Sequence, residues 1–189
     1  IEEYNGYNDA ATLSQIGTQL VADGVDMIIP QFANSNVDLP ALPAEAYRLV
    51  QDKESYAVVD IGGDDRGAYA LGRYVPAILQ EQNYCMVFVA NFCRPLTRTP
   101  EEALEVMAEI EAACGLPFTH IVNNTNLGSE TTARTVLDSL DYVNRLSRLC
   151  NLPVLFHSAE EQVAKELAGR LEPVFALQLQ DKYFEIPTL

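Results

Sequence analysis

The run Tyr56-Ala57-Val58-Val59-Asp60-Ile61-Gly62-Gly63-Asp64-Asp65-Arg66-Gly67 sets an apolar segment, one acid and two glycines in succession. Read as a strand entering a turn, it places Asp60 at the strand's carboxyl end, where ligands bind in open α/β sheets. A carboxylate there can hold Mg²⁺, directly or through water, beside a loop that closes on a terminal phosphate. Asp60 is therefore the candidate catalytic acid and metal ligand, and Gly63 the flexible residue beside it. Gly62 and Gly63 also suit a positive φ or a close approach of backbone to ligand. Asp64 and Asp65 could add ligands, and an ordinary solvated turn explains those two equally well. The phosphate cradle that would complete such a site, G-x-x-x-x-G-K-[ST], occurs nowhere in the 189 residues.

Further polar groups fall after other apolar runs. Asn123-Asn124-Thr125-Asn126-Leu127-Gly128 follows Phe118 to Val122. A carboxamide at a strand end can pair with both the donor and the acceptor edge of a purine, as Asn does with adenine. Asn123 and Asn124 are candidate base contacts, and an Asn-rich turn is the alternative. Asn91-Phe92-Cys93-Arg94-Pro95-Leu96-Thr97-Arg98 leaves another strand. There Arg94 and Arg98 form a possible phosphate clamp, or pair with local acids. Cys93 lacks in sequence the sharp turn and the orienting acid that a nucleophile needs, and His120 and His157 lie on other strand ends, so it reads as a buried or half-buried thiol. His157-Ser158 sits at a strand-to-helix turn where a ligand can lie, or where a histidine serves packing. The polar loop from Gln31 to Asp38 could recognise a substrate or partner, with no ligand specified.

Alternating elements must position these groups. Leu13, Ile16, Leu20 and Val21 recur at helical spacing before Gly24, and Val25 to Ile29 is a short apolar strand. Ala44 to Val50 reads as a short helix, Tyr56 to Ile61 as a strand, and a helix begins near Gly67. Tyr84 to Ala90, Phe118 to Val122 and Leu152 to Phe156 are further strands, with Val174 to Leu179 a last edge strand or docked tail. Thr99-Pro100-Glu101-Glu102 opens a helix with a capping Thr, Pro at its first position and acids at its positive end, and Gly115 closes it. Glu130 to Cys150 reads as one long helix, and Ser158 with Glu161 as a capping box for a helix through Gly169. Helical crossovers between short buried strands imply an α/β fold, a mostly parallel sheet with helices on both faces. Residues 1–189 read as a single domain of that kind.

Composition narrows the partners. Twenty-seven acids against twelve Lys and Arg give a formal charge of −15, which repels phosphodiester backbones and anionic headgroups. Nucleic acid and membrane are not expected partners. No apolar run reaches the ~20 residues that span a bilayer. Cys85, Cys93, Cys114 and Cys150 show no C-x-x-C spacing, as expected of reduced thiols in a cytoplasmic protein.

Together these runs resemble the central and C-terminal part of a P-loop ATPase of the MinD/ParA type. The closest likeness is to an uncharacterised bacterial group carrying F-A-N-[ST]-N-x-D-x-P-A-L-P, D-x-G-G-D-x-x-G, R-P-x-T-R-T-P-E and I-V-N-N-[ST]-N-L-G. In this chain those are Phe32 to Pro43, Asp60 to Gly67, Arg94 to Glu101 and Ile121 to Gly128. The resemblance covers roughly residues 13 to 170 and implies a three-layer P-loop NTPase-like fold that binds ATP with Mg²⁺. Asp60 matches the acid of the metal and switch region, Gly63 its flexible glycine, and Asn123 the adenine-reading position. Leu155 to Ala159 matches a second segment flanking the base. The family dimerises around nucleotide and signals to a protein partner.

The first strand, the P-loop with its lysine, the first helix and the second strand have no counterpart here. They would occupy about 40 to 60 residues. The expectation is an N-terminally incomplete nucleotide-binding domain that hydrolyses ATP once the P-loop is supplied. The alternatives are a non-catalytic interaction subunit of the same fold, or an α/β enzyme on a small polar substrate using Asp60, Asn123 and Arg94.

Overall fold

The computed structural model describes residues 22–28, 44–62 and 65–179. The chain forms two compact units, one within Ile1–Tyr84 and Glu109–Leu116, the other within Cys85–Ala108 and Pro117–Leu189. The second carries the sheet.

Four short strands, β1 (Val87–Ala90), β2 (His120–Asn123), β3 (Val154–Glu160) and β4 (Val174–Leu177), lie in that order, every pair parallel. The fold is α/β, of the three-layer type. Helical crossovers are what parallel neighbours require, because a tight hairpin cannot join them. Ile121 and Leu146 are fully buried, Phe88 packs edge-on against Phe118 with centroids 5.4 Å apart, and Ala159, Val163 and Leu167 close over Ala133 and Val136. Each large apolar side chain buried this way contributes about 1.5–3 kcal/mol.

The helix opening at Pro100 forms as its sequence predicts, over Pro100–Cys114. Thr99 N–H donates to Glu102 Oε2 (2.9 Å), and Glu102 N–H donates to Thr99 Oγ1 (3.2 Å), a reciprocal cap. It ends at Gly115, whose φ of +76° lets the chain turn.

Several expectations need correction. The long helix expected over Glu130 to Cys150 is two helices, Ala133–Asp138 and Leu140–Cys150. Ser139 marks the break: its hydroxyl donates to Val136 O (2.6 Å) and accepts from Asn123 (2.8 Å). The first of the two is capped by Thr132, which accepts from Thr135 N–H. The helix Glu161–Leu167 is capped by Glu160, whose carboxylate accepts from Gln162 and Val163 N–H, and not by Ser158, which lies inside β3.

Tyr56 to Gly62 carries no ladder bonds among the described residues, and Val58 is 97 % exposed. The expected strand is therefore absent there, because a strand without neighbours buries nothing that would hold it. Residues 25–28 are likewise irregular. Among the described residues the first unit contains Ala44–Tyr47 running into Arg48–Gln51, then Asp65–Leu71 and Val75–Glu81, with Ala46, Ala68, Leu71 and Tyr74 buried. The helix expected over Leu13 to Val21, the Gln31 to Asp38 loop and Gly63 lie outside the described residues.

No helix among the described residues is long and apolar enough to cross a membrane.

Candidate functional site

Ala90, Asn123 and His157 occupy one row across the first three strands. The row is set by a register shift: Ile121 pairs with Val154, but Val122 pairs with Phe156, so Leu155 is an extra residue. A one-residue slip in a strand exchanges its two faces. The extra Leu155 therefore brings His157 beside Asn123 and Ser158 beside Asn124, as bulges near functional edges commonly re-aim side chains.

Asn123 is fully buried and its carboxamide is saturated from within. Nδ2 donates to Ser139 Oγ (2.8 Å) and to His157 Nδ1 (3.0 Å), while Oδ1 accepts from Thr125 N–H (3.2 Å) and Thr125 Oγ1 (2.8 Å). The Thr125 N–H fixes the amide's orientation, since a flipped amide would set donor against donor. His157 Nδ1 is thereby an acceptor and the ring proton belongs on Nε2. Burial pushes the imidazole below its ordinary value, which keeps it neutral.

The next position outward holds Asn124 and Ser158. Ser158 Oγ donates to Asn124 Oδ1 at 2.7 Å. Asn124 is partly exposed, and among the described residues nothing else takes up its Nδ2. It presents two N–H donors and one spare acceptor position at the carboxyl edge.

Asn91 leaves β1 as Asn124 leaves β2, and it ties the two loops together. Its Oδ1 accepts from Cys93 N–H (3.0 Å) and Asn126 N–H (3.3 Å). Thr97 Oγ1 donates to Asn91 O (2.7 Å), and Phe92 N–H donates to Thr125 Oγ1 (3.4 Å). Asn91, Thr125, Ser139 and Glu160 were not among the expected site residues. Asn91 was legible, since it holds the same place after its strand that Asn124 holds after its own.

Arg94 lies half-buried in the loop after β1, at this same edge. Cys93 is exposed and not buried or half-buried as expected, because it sits in the surface loop after β1; partial desolvation still pushes its thiol up, as suits an unreactive group. Asp60 belongs to the other unit, where it is exposed in the irregular stretch 56–62. The structure thus gathers Asn123, Asn124, His157 and Ser158 and leaves Asp60 in a separate unit.

No family model, curated protein or solved structure matches this chain.

The edge can bind a planar polar ligand: a carboxamide offering paired donor and acceptor positions, with a hydroxyl beside it. It carries little to hold a metal. Among the described residues no three His, Cys, Asp or Glu side chains converge. Of the acids expected around Mg²⁺, Asp60 is described, while Asp64 and the side chain of Asp65 lie outside the described residues.

Proposed function

We propose that this chain provides the base-recognising part of an ATP-dependent switch domain of MinD/ParA type, cytoplasmic and acting through a protein partner. The observation that carries the reading is the Asn124–Ser158 hydrogen bond. It joins the two segments that the resemblance assigns to flanking the base, and these lie more than thirty residues apart in sequence. Asn124 is the group that contacts adenine, its Nδ2 donating to a ring nitrogen and its Oδ1 accepting from the exocyclic amine. Asn123, saturated from within, holds the edge in shape.

Two further features favour the reading. β1 ends the described sheet although Phe88 and Ala90 are buried, and an apolar strand suits a sheet interior better than an edge. Tyr56 to Ile61, strand-like in composition, is unpaired among the described residues. The resemblance calls for a further central strand that also carries the phosphate cradle. With that cradle and Mg²⁺ at Asp60 the domain hydrolyses ATP, and it pairs with a second copy around nucleotide.

Saturation-transfer NMR with adenosine and with cytidine tests the base site on this chain directly. Transfer to adenine protons, lost in Asn124→Ala and weaker for cytidine, is the expected result. Equal transfer to both nucleosides, unchanged by the substitution, refutes the assignment.

A further inference from the structure

At the opposite, amino-terminal end of the sheet lies a second cluster that the proposed function does not use. Cys85 Sγ, at the surface just before β1, is 3.1 Å from His120 Nδ1, the first residue of β2. Thr119 Oγ1 is 2.8 Å from the same nitrogen and 3.6 Å from the sulfur.

Thr119 Oγ1 accepts from Met86 N–H (3.0 Å), and its own proton has Met86 O (3.0 Å), His120 Nδ1 (2.8 Å) and Cys85 Sγ (3.6 Å) within reach. Met86 O also accepts from Thr119 N–H (2.8 Å) and His120 N–H (3.3 Å). With Nδ1 unprotonated, the Cys85 thiol at 3.1 Å is placed to donate to it, a nucleophile within reach of its base. Transfer of that proton leaves a thiolate facing an N–H donor, which stabilises it.

We propose that Cys85 is a reactive thiol and a modification site for low-molecular-weight disulfides, with His120 as its proton acceptor. The thiol proton passes to His120 Nδ1. The thiolate attacks one sulfur of R–S–S–R, a bond forms between Cys85 Sγ and that sulfur, and the original disulfide bond breaks. Cys85 is oxidised to a mixed disulfide. The released R–S⁻ is the reduced half and takes up a proton from His120 or water. Cys93 makes no such contact with a histidine, and Cys114 is buried.

The test uses the 189-residue chain with Cys93→Ser and Cys150→Ser, reacted at neutral pH with dithiobis(nitrobenzoate) and, separately, with glutathione disulfide. Rates are followed for native and urea-unfolded protein, and the adduct is placed by peptide mass spectrometry. Burial can only slow a thiol, so a native rate above the unfolded one requires activation. We expect Cys85 to react about tenfold faster in the native protein, and His120→Gln to remove that advantage. A native rate no higher than the unfolded one overturns the proposal without any variant. So does reaction with the synthetic disulfide but not with glutathione disulfide, or a native advantage that survives in folded His120→Gln.

Discussion

Ser158 Oγ donates to Asn124 Oδ1 across 2.7 Å, and this bond exists because β3 carries one residue more than β2 between Ile121 and Val122. The extra residue, Leu155, shifts the strand's register so that polar side chains of both strands meet on each face of the sheet edge. Asn123 meets His157 on one face and Asn124 meets Ser158 on the other.

Asn123→Ala should be among the most damaging single substitutions in the chain. It strips Ser139, His157 and Thr125 of their buried partner at once. Leaving buried polar groups unpaired costs about 1–3 kcal/mol each, so a total loss of about 3 kcal/mol is expected in urea unfolding. Ser158→Ala, at the outer position, should cost about 1 kcal/mol.

His157 gives the fold a pH dependence of defined sign. Its folded value lies below the ordinary 6.5, so below that pH the unfolded chain takes up a proton that the folded chain refuses. The stability difference is absent at higher pH, grows as the pH falls through about 6.5, and levels once the folded value is passed. His157→Gln retains an acceptor for Asn123 and cannot titrate. Urea midpoints at about pH 7.5 and pH 5.5 should fall further for the wild type than for His157→Gln, and an equal fall would show that the imidazole carries none of the effect.

Two helices end on non-glycine residues in the left-handed region. Gln82 closes Val75–Glu81 at φ 53°, and Asn151 closes Leu140–Cys150 at φ 56°. Asparagine tolerates the left-handed region and glutamine does so less readily. Gln82→Gly should therefore stabilise the protein by about 0.5–1 kcal/mol, while Gly115→Ala, at φ +76°, should destabilise it by about 1 kcal/mol. Thermal unfolding of the pair checks both signs.

The reciprocal cap at the start of Pro100–Cys114 is a further local term. Thr99→Ala should cost about 1 kcal/mol, and combining it with Glu102→Ala should cost less than the sum of the two, since each substitution already breaks half of one device.

Local signals were legible in the sequence, and long-range ones were not. Thr99, Pro100 and Gly115 fixed their helix because caps and left-handed glycines act within a few residues of chain. The parallel sheet followed from strands separated by helices. Tyr56 to Ile61 misled because its Val-rich composition suits a strand, while a ladder depends on neighbours that composition does not contain. Ser139 broke the expected long helix through a bond to Asn123, sixteen residues away in sequence. Leu155's role as the extra residue is likewise invisible without its partner strand. Of the expected site, the Asn123–Asn124 and His157–Ser158 pairs came together, and Asp60 belongs to the other unit.

Calorimetric titration of Mg·ATP into the full-length polypeptide containing these residues, with and without Asn124→Ala, tests the central claim most directly. The account predicts saturable binding that prefers ATP to GTP, at least tenfold weaker in Asn124→Ala, a loss of roughly 1.4 kcal/mol or more. Absence of nucleotide binding by the full-length protein, or binding indifferent to both the base and Asn124, would contradict it.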